Sequence, residues 1–186
     1  YVISQTVQPP VATMLKGAQG LDMIAKTYGE EGKITFLGCH YAGGPDLIGL
    51  AGSAAENYYW TTSYKLMTAK GPGTDEQLAL AKRYGRDEGV AMSQNYTNGI
   101  MVTQVAVETM RRAKAKSKKI TRAALYEELL AMNGDNAFHS LTTVGPVTFS
   151  KTDREGVDTL QLYVAKDGVF GEVGAPFSPE YVKKIK

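Results

Sequence analysis

The feature of this sequence that most constrains its fold is the stretch Lys33–Leu50, which reads KITFLGCHYAGGPDLIGL. The alternation of residues 33–37 predicts a short buried strand, a glycine-rich loop follows it, and Pro45 begins a helix. In open α/β sheets, ligands bind outside the carboxyl ends of the strands. His40 and Tyr41 belong to the loop that follows the strand, so we expect this polar and aromatic pair to lie at a ligand-binding position.

The first third of the chain predicts the order β-α-β-α-β, which is typical of a parallel sheet with helices on its faces. Two prolines stop the first strand and favour a helix start, and apolar residues then recur at helical spacing. The expected elements are a strand at 1–5, a helix from Val11 to about Tyr28, the strand at 33–37, a helix from Pro45 to about Leu50 and a strand at 58–63.

The middle of the chain predicts three helices. Thr74-Asp-Glu-Gln has the form of a capping box, which predicts a helix that runs to about Tyr84. The longest helix is expected from Tyr96 to Ala115, and residues 99–107 are apolar nearly all round, which predicts that the helix is buried. Thr121 is expected to cap a further helix over 122–132.

The last part of the chain predicts strands. Residues 143–149 form a short strand pattern that a Gly-Pro pair interrupts. Alternating apolar residues at 160–164, the dipeptide Asp167-Gly168 and the run 169–173 together predict an antiparallel hairpin with a type I′ turn. A terminal helix is expected to begin at Ser178.

Composition excludes several classes of protein. Of the 186 residues, 43% are apolar and 22% are charged, and the net charge of +2 gives no reason to expect nucleic-acid binding. The basic run 111–119 follows a helix and contains no stacking aromatics, so it is expected to be a solvated helix end. The single cysteine excludes an internal disulfide and a multi-cysteine metal site. Because Tyr1 begins inside an apolar strand pattern, we expect that other residues precede it.

The sequence gives little support for catalysis or metal binding, because the candidate residues lack the arrangement that either function requires. Cys39 and His40 are neighbours on an extended chain, so their side chains point to opposite sides, and Cys39 is better explained as a small buried hydrophobe. His40 and His139 share no spacing typical of metal ligands. The glycine-rich loop lacks the frame of a nucleotide fingerprint. We therefore expect no catalytic residues, no metal and no cofactor.

A polar crevice is a further hypothesis. Residues 6–8 follow the first strand and would lie beside His40 if the first two strands are parallel neighbours, an arrangement that suits a small polar ligand. Ordinary loop polarity explains the same residues equally well. The aromatic run 58–60 is best explained by core packing, and Trp60 is not assigned to a ligand.

Four segments together carry a resemblance to a known family. They read SQTVQPPVATMLKGAQGL, ITFLGCHYAGGPDLIGLAGSAAENYYWTTSY, TVGPVTFSKTD and LYVAKDGVF. In their order and spacing they resemble the carboxyl-terminal half of the type I periplasmic binding proteins of branched-chain amino acid ABC transporters, the leucine/isoleucine/valine-binding group. The resemblance covers essentially the whole chain.

The resemblance implies a two-lobed α/β fold in which parallel sheets are flanked by helices and the ligand is enclosed between the lobes. Residues 1–60 would belong to the second lobe, 61–145 to the returning part of the first lobe, and 146–186 to the second lobe again, with the hairpin and the terminal helix. This chain would supply roughly the carboxyl-terminal half. A missing amino-terminal half or a partner chain would supply the rest.

The resemblance also implies which residues meet the ligand. The loop at Gln5 and Thr6 and the residue His40, with Tyr41 beside it, would contact the ligand from the second lobe, and Asn95 with Tyr96 from the first lobe. Members of the family commonly carry an acidic residue at the His40 position to hold an ammonium group. Histidine there favours a carboxylate, amide or aromatic-acid ligand over a standard branched-chain amino acid.

The function that the resemblance implies is that of a periplasmic solute-binding protein, which catalyses no reaction and delivers a small molecule to the membrane permease of an ABC transporter. The alternative is a ligand-sensing module, or an engineered split or insertion sensor, built from the same binding protein. The residues that precede Tyr1 would distinguish these two functions.

Overall fold

The computed structural model describes residues 1–68, 71–116 and 119–179. The chain divides into two compact units. Unit 1 consists of Tyr1–Thr62, Met92–Gln94 and Gln161–Pro176, and unit 2 consists of Ser63–Ala91, Asn95–Leu160 and the carboxyl end from Phe177. The lobe boundaries near residues 60 and 145 that the resemblance implies remain predictions.

Unit 1 is built on one mixed five-stranded sheet whose strands lie in chain order. The first three strands run parallel to one another and the fourth runs antiparallel to the third, so the predicted parallel sheet is confirmed. The strands are β1 (Val2–Ser4), β2 (Phe36–Gly38), β3 (Tyr59–Thr62), β4 (Leu160–Lys166) and β5 (Val169–Phe177).

Two helices connect the parallel strands, α1 (Gln8–Gly20) and α2 (Pro45–Ala51), and a 3₁₀ turn at Gly52–Ala55 follows α2. The prediction that the first helix reaches Tyr28 is wrong. The helix ends at Gly20, Asp22 adopts a left-handed backbone with φ 53°, and Ile24 forms a parallel bridge with Ile34. Glycine lowers helix propensity, and here the chain extends beside the sheet instead.

The predicted hairpin is confirmed. Asp167 and Gly168 have φ values of 51° and 76°, as a type I′ turn requires at both central positions. The hairpin extends the parallel part of the sheet, because β4 pairs with β3 with Tyr163 opposite Trp60. The ring of Trp60 lies 5.4 Å from the rings of both Tyr163 and Phe170. The expectation that the aromatic run belongs to the core is confirmed for Trp60, which is 1% exposed.

Unit 2 is mainly helical within its described residues. The Thr121 hydroxyl accepts a hydrogen bond from the backbone amide of Ala124 at 3.2 Å, so the predicted cap is confirmed. The helices are α3 (Pro72–Arg83), α4 (Glu88–Ala91), α5 (Gln94–Ala115, whose first residue clusters with unit 1) and α6 (Arg122–Leu130), and a 3₁₀ turn follows at Gly134–Asn136.

The predicted capping box at Thr74 is wrong. Helix α3 already begins at Pro72, whose ring fixes φ at a helical value, so Thr74 lies inside the first turn. Gln77 does not reach back to the start of the helix. Its buried amide donates hydrogen bonds to the Ala91 carbonyl at 2.5 Å and to the Thr97 hydroxyl at 2.9 Å.

The prediction that the longest helix is buried is also wrong in this chain. Val102 and Val107 of α5 are each 57% exposed, and Met110 is 43% exposed. A hydrophobic pattern shows which face of a helix favours burial, but burial also needs another element to pack against that face. In the part of the chain that the structure describes, no helix combines the length and the apolar character needed to span a membrane.

The strand predicted over 143–149 is reduced to isolated bridges, Tyr64 with Thr143, Phe138 with Val147, and Thr148 with Gly156. The Gly-Pro pair interrupts the ladder because proline donates no backbone hydrogen bond. The predicted terminal helix lies outside the described residues, apart from its expected first residues Ser178 and Pro179.

The basic run 111–119 begins inside α5, which extends to Ala115, and it is partly solvated and partly ion-paired. Arg111 has a side chain that is 73% exposed, as a solvated helix end predicts. Arg111 and Arg112 both bind Glu108, at 2.8 and 2.7 Å, and Lys116 binds the buried carboxylate of Glu128 at 2.7 Å. Residues 117 and 118 lie outside the described chain.

Candidate functional site

The candidate site begins where β1 and β2 end. These strands are parallel neighbours with Ser4 opposite Gly38, and the Cys39 amide donates to the Ser4 carbonyl at 3.1 Å. Gln5 and Thr6 follow β1, and His40 follows β2 at the same edge of the sheet. Gln5 and Thr6 are both exposed. The parallel pairing on which the hypothesis of a polar crevice depends is therefore present.

The backbone of the loop after β2 is held by two side-chain donors at one atom. The carbonyl oxygen of His40 accepts a hydrogen bond from the indole Nε1 of Trp60 at 3.0 Å. It also accepts a hydrogen bond from the side-chain amide of Gln94, which is 4% exposed. Buried donors of this kind stabilise a single loop conformation, because losing them would leave polar groups unsatisfied.

Two further carbonyls of the same loop are bound in the same way. The hydroxyl of Tyr58 donates to the Ala42 carbonyl at 3.0 Å, and the side-chain amide of Gln8 donates to the Gly43 carbonyl at 3.1 Å. Burial raises the pKa of the Tyr58 hydroxyl, which therefore stays protonated and able to donate. The loop is thus fixed by side chains of Gln8 in α1, Trp60 in β3, Gln94 in α5 and Tyr58, the residue just before β3.

The glycines of this loop allow close packing against aromatic side chains. A Cβ atom on Gly43 would lie 2.3 Å from Cγ of Trp60, and one on Gly38 would lie 2.0 Å from the hydroxyl of Tyr58. Neither contact is sterically possible. The close approach that these glycines permit is therefore an approach to the protein's own core.

The imidazole of His40 lies between two side chains. Its Nδ1 is 3.2 Å from the hydroxyl of Thr62, which is fully buried at the end of β3. The ring of Tyr41 meets the imidazole edge-on, with centroids 4.6 Å apart at 89°, and Tyr41 is 49% exposed. Burial lowers the pKa of His40, which favours the neutral imidazole at neutral pH.

A neutral imidazole offers one N–H donor and one acceptor, and a tyrosine adds a flat ring and a hydroxyl. This pair can recognise polar and aromatic groups without a full charge. Because burial favours the neutral imidazole, the site is better suited to recognition by hydrogen bonding than to attraction of an anion by a charged histidine.

The remaining candidate residues lie elsewhere. Cys39 is half-buried. His139 belongs to unit 2, where it lines a groove of about 570 Å³ between α3 and α5. In the part of the chain that the structure describes, no group of three histidine, cysteine or acidic side chains could hold a metal ion.

Asn95 and Tyr96 lie in the first turn of α5 and belong to unit 2. Asn95 is exposed and Tyr96 is half-buried. Their place in a ligand site stays a prediction. They follow Gln94, the residue that binds the His40 carbonyl, directly in the chain.

Sequence reasoning missed two residues that hold the site, namely Thr62 and Gln94, whereas Gln8 belongs to the polar segment 6–8 that was expected beside His40. Thr62 carried a signal, because alternation along β3 places it on the same face as the buried Trp60. Gln94 is 54 positions from His40, and no local pattern relates two residues so far apart.

Comparisons with known proteins agree with this architecture. Residues 7–169 match the family model described as periplasmic binding protein. A structure of a branched chain amino acid ABC transporter from Thermus thermophilus with bound valine is 39% identical to this chain, with a TM-score of 0.88. The match covers 100% of this chain and 47% of the Thermus thermophilus chain. No curated protein matches the chain at a significant level.

More distant structures share the fold. A leucine binding protein from Thermotoga maritima is 19% identical with a TM-score of 0.65, covering 97% of this chain and 45% of its own. A fatty acid ABC transporter substrate-binding protein from Thermomonospora curvata is 21% identical with a TM-score of 0.68. The match covers 94% of this chain and 42% of the Thermomonospora curvata chain. The chain thus spans less than half the length of these three structures.

Proposed function

Because the chain belongs to the periplasmic binding protein family, we propose that it forms about half of the solute-binding component of an ABC importer. In this role it performs no chemistry. It binds a small molecule in the periplasm and delivers it to a membrane permease. The similarity to the valine-bound structure, 39% over the whole chain, supports the assignment.

The observation that carries the proposal is the fixed loop at the carboxyl edge of the parallel strands. Its backbone is bound by Trp60, Gln94 and Tyr58, while Tyr41 remains half exposed. A rigid loop that exposes polar and aromatic groups at this edge is typical of ligand sites in open α/β sheets. It also lowers the entropy lost on binding.

The proposed ligand is small and polar or bears a carboxylate, such as an amino acid, an amide or an aromatic acid. His40 donates a hydrogen bond to a ligand oxygen, and Tyr41 contributes a stacking face or its hydroxyl. Gln5 and Thr6, at the end of the neighbouring strand, complete this part of the site. We propose that Asn95 and Tyr96 contact the same ligand from unit 2.

A calorimetric titration of the complete protein that contains this chain tests the proposal. The ligands are L-valine, L-leucine, acetamide and benzoate, which separate the amino acid, amide and aromatic-acid classes. We expect saturable binding of one class at one site, with the ligand recovered unchanged. Absence of binding to all four ligands, or conversion of a ligand to product, would count against the assignment.

Cys39→Ser is the matched control in this experiment, because Cys39 is next to His40 and has no assigned role. We expect that variant to bind the preferred ligand within a few fold of the parent. A large loss of affinity in Cys39→Ser would mean that the thiol takes part in the site.

A further inference from the structure

We propose that Thr62 is a positioning residue for His40. In this arrangement the Thr62 hydroxyl donates a hydrogen bond to Nδ1 of the imidazole, so the ring proton stays on Nε2. The ring is thereby held as a neutral N–H donor in one orientation. The observation behind the proposal is the 3.2 Å separation between Thr62 Oγ1 and His40 Nδ1.

Thr62 is placed rigidly enough for this role. It is the last residue of β3, and it lies opposite Gln161 of the antiparallel β4. Its side chain is 0% exposed, and a β-branched residue in a strand has a restricted χ1 angle. The hydroxyl therefore occupies a fixed position, and rotation about its C–O bond suffices to direct the proton toward Nδ1.

The backbone of His40 is fixed independently of Thr62. Trp60 and Gln94 both donate to its carbonyl oxygen, which leaves the side-chain torsions as its main freedom. The edge-on ring of Tyr41 restricts one side of the imidazole, at a centroid distance of 4.6 Å. A hydrogen bond at Nδ1 removes the remaining ring flip, because a flipped imidazole would place a carbon atom against the hydroxyl.

The direction of this hydrogen bond determines which ligand group His40 can recognise, an inference that rests on the proposed function. A neutral imidazole with its proton on Nε2 donates to an oxygen acceptor such as a carboxylate or an amide carbonyl. The opposite tautomer would turn an acceptor nitrogen toward the ligand and would suit an N–H donor. Thr62 would thus contribute to specificity without contacting the ligand.

Nitrogen-15 NMR of the imidazole, recorded on the complete protein near neutral pH, tests the proposal. A His139→Gln background leaves His40 as the one histidine of this chain, which contains two. Within that background we compare Thr62→Val, which removes the hydroxyl at similar size, Thr62→Ser, which keeps it, and Thr61→Val. Thr61 is the matched control, because it precedes Thr62 on β3 and faces the opposite side of the sheet.

We expect the Nε2–H tautomer in the background, in Thr62→Ser and in Thr61→Val, and a mixture of tautomers in Thr62→Val. Affinity for the ligand found by calorimetry should fall roughly 5- to 10-fold in Thr62→Val, as expected for one lost hydrogen bond. An Nδ1–H tautomer in the background, or an unchanged tautomer in Thr62→Val, would overturn the proposal. The background measurement needs no variant at position 62, so it decides the question even if Thr62→Val does not fold.

The same data separate this proposal from the proposed function. A tautomer change in Thr62→Val with unchanged affinity would support the positioning role and would overturn the role of His40 in binding. Loss of affinity without a tautomer change would overturn the positioning role alone.

Discussion

Both units bury polar side chains, but the largest fully buried side chains of unit 1 are mainly aromatic or aliphatic, whereas those of unit 2 include an amide and a carboxylate. In unit 1 the fully buried side chains are mostly apolar and aromatic and include Leu15, Leu47 and Trp60. In unit 2 several buried side chains are polar or charged, among them Gln77 and Glu128, while Val107 is 57% exposed. The described part of unit 1 therefore has an aromatic and aliphatic core, whereas α5 of unit 2 exposes apolar side chains.

This contrast teaches what a hydrophobic pattern can predict. In unit 1, α1 and α2 bury Leu15 and Leu47 on the faces that their patterns indicate. The pattern of α5 also predicted burial, yet Val102 and Val107 are each 57% exposed. A pattern predicts which face of a helix can be buried, and the presence of a packing partner determines whether it is buried.

The largest expected effect is a loss of core packing in unit 1. Leu47 of α2 is 0% exposed, so Leu47→Ala should lower the free energy of unfolding by about 2–5 kcal/mol through lost burial and a residual cavity. Leu50 of the same helix is 44% exposed, and Leu50→Ala is the control. Urea unfolding measures both, and equal losses would contradict the assigned core.

A smaller loss is expected in unit 2, where Lys116 binds the carboxylate of Glu128, a residue that is 2% exposed. Lys116→Met removes the ammonium group and leaves the buried carboxylate of Glu128 without this partner. We expect the free energy of unfolding to fall by about 1–3 kcal/mol. The exposed Lys114, two residues earlier in the last turn of α5, is the control as Lys114→Met. If both variants unfold at the same urea concentration, the ion pair contributes nothing measurable.

The pH dependence of stability should reveal the burial of His40. Burial lowers its pKa from the ordinary value of 6.5, so below about pH 6.5 the unfolded chain binds more protons than the folded chain. The folded state therefore has its full stability above about pH 6.5, where His40 is neutral in both states. The free energy of unfolding falls as the pH is lowered toward the lowered pKa of His40. Urea unfolding in a His139→Gln background, with and without His40→Gln, measures this contribution. A free energy of unfolding that rises on acidification because of His40 would contradict the assignment.

The smallest expected effect tests the exposed face of α5. Val107→Thr should change the free energy of unfolding of this chain by less than about 0.5 kcal/mol, because the residue is 57% exposed. The buried Val11 of α1, 1% exposed, is the matched control as Val11→Thr and should show a clear loss. A loss at Val107 as large as that at Val11 would show that another surface covers α5 in solution.

Local signals in the sequence predicted much of the fold. Asp167-Gly168 predicted the hairpin because both residues tolerate positive φ, and Thr121 predicted the start of α6 because its hydroxyl can bind a free amide. The same reasoning failed at Thr74, where Pro72 begins the helix two residues earlier. Competing start signals within one turn cannot be ranked from sequence alone.

The candidate site was predictable only in part. The strand-loop-helix pattern indicated His40 and Tyr41, because it located a loop at the carboxyl end of a strand. The groups that fix this loop are Thr62 and Gln94, which lie 22 and 54 positions away in the chain. Tertiary structure brings them together, and no periodicity in the sequence relates them.

The measurement that tests the central claim most directly is calorimetry on the complete protein with the ligand it binds, comparing His40→Ala with Cys39→Ser. The account predicts that His40→Ala weakens binding by about 1–3 kcal/mol, roughly 5- to 150-fold, because a buried polar partner loses its hydrogen bond. It predicts that Cys39→Ser stays within a few fold of the parent. Equal affinities of His40→Ala and the parent at every pH tested would contradict the account and would show that the His40 loop is structural only.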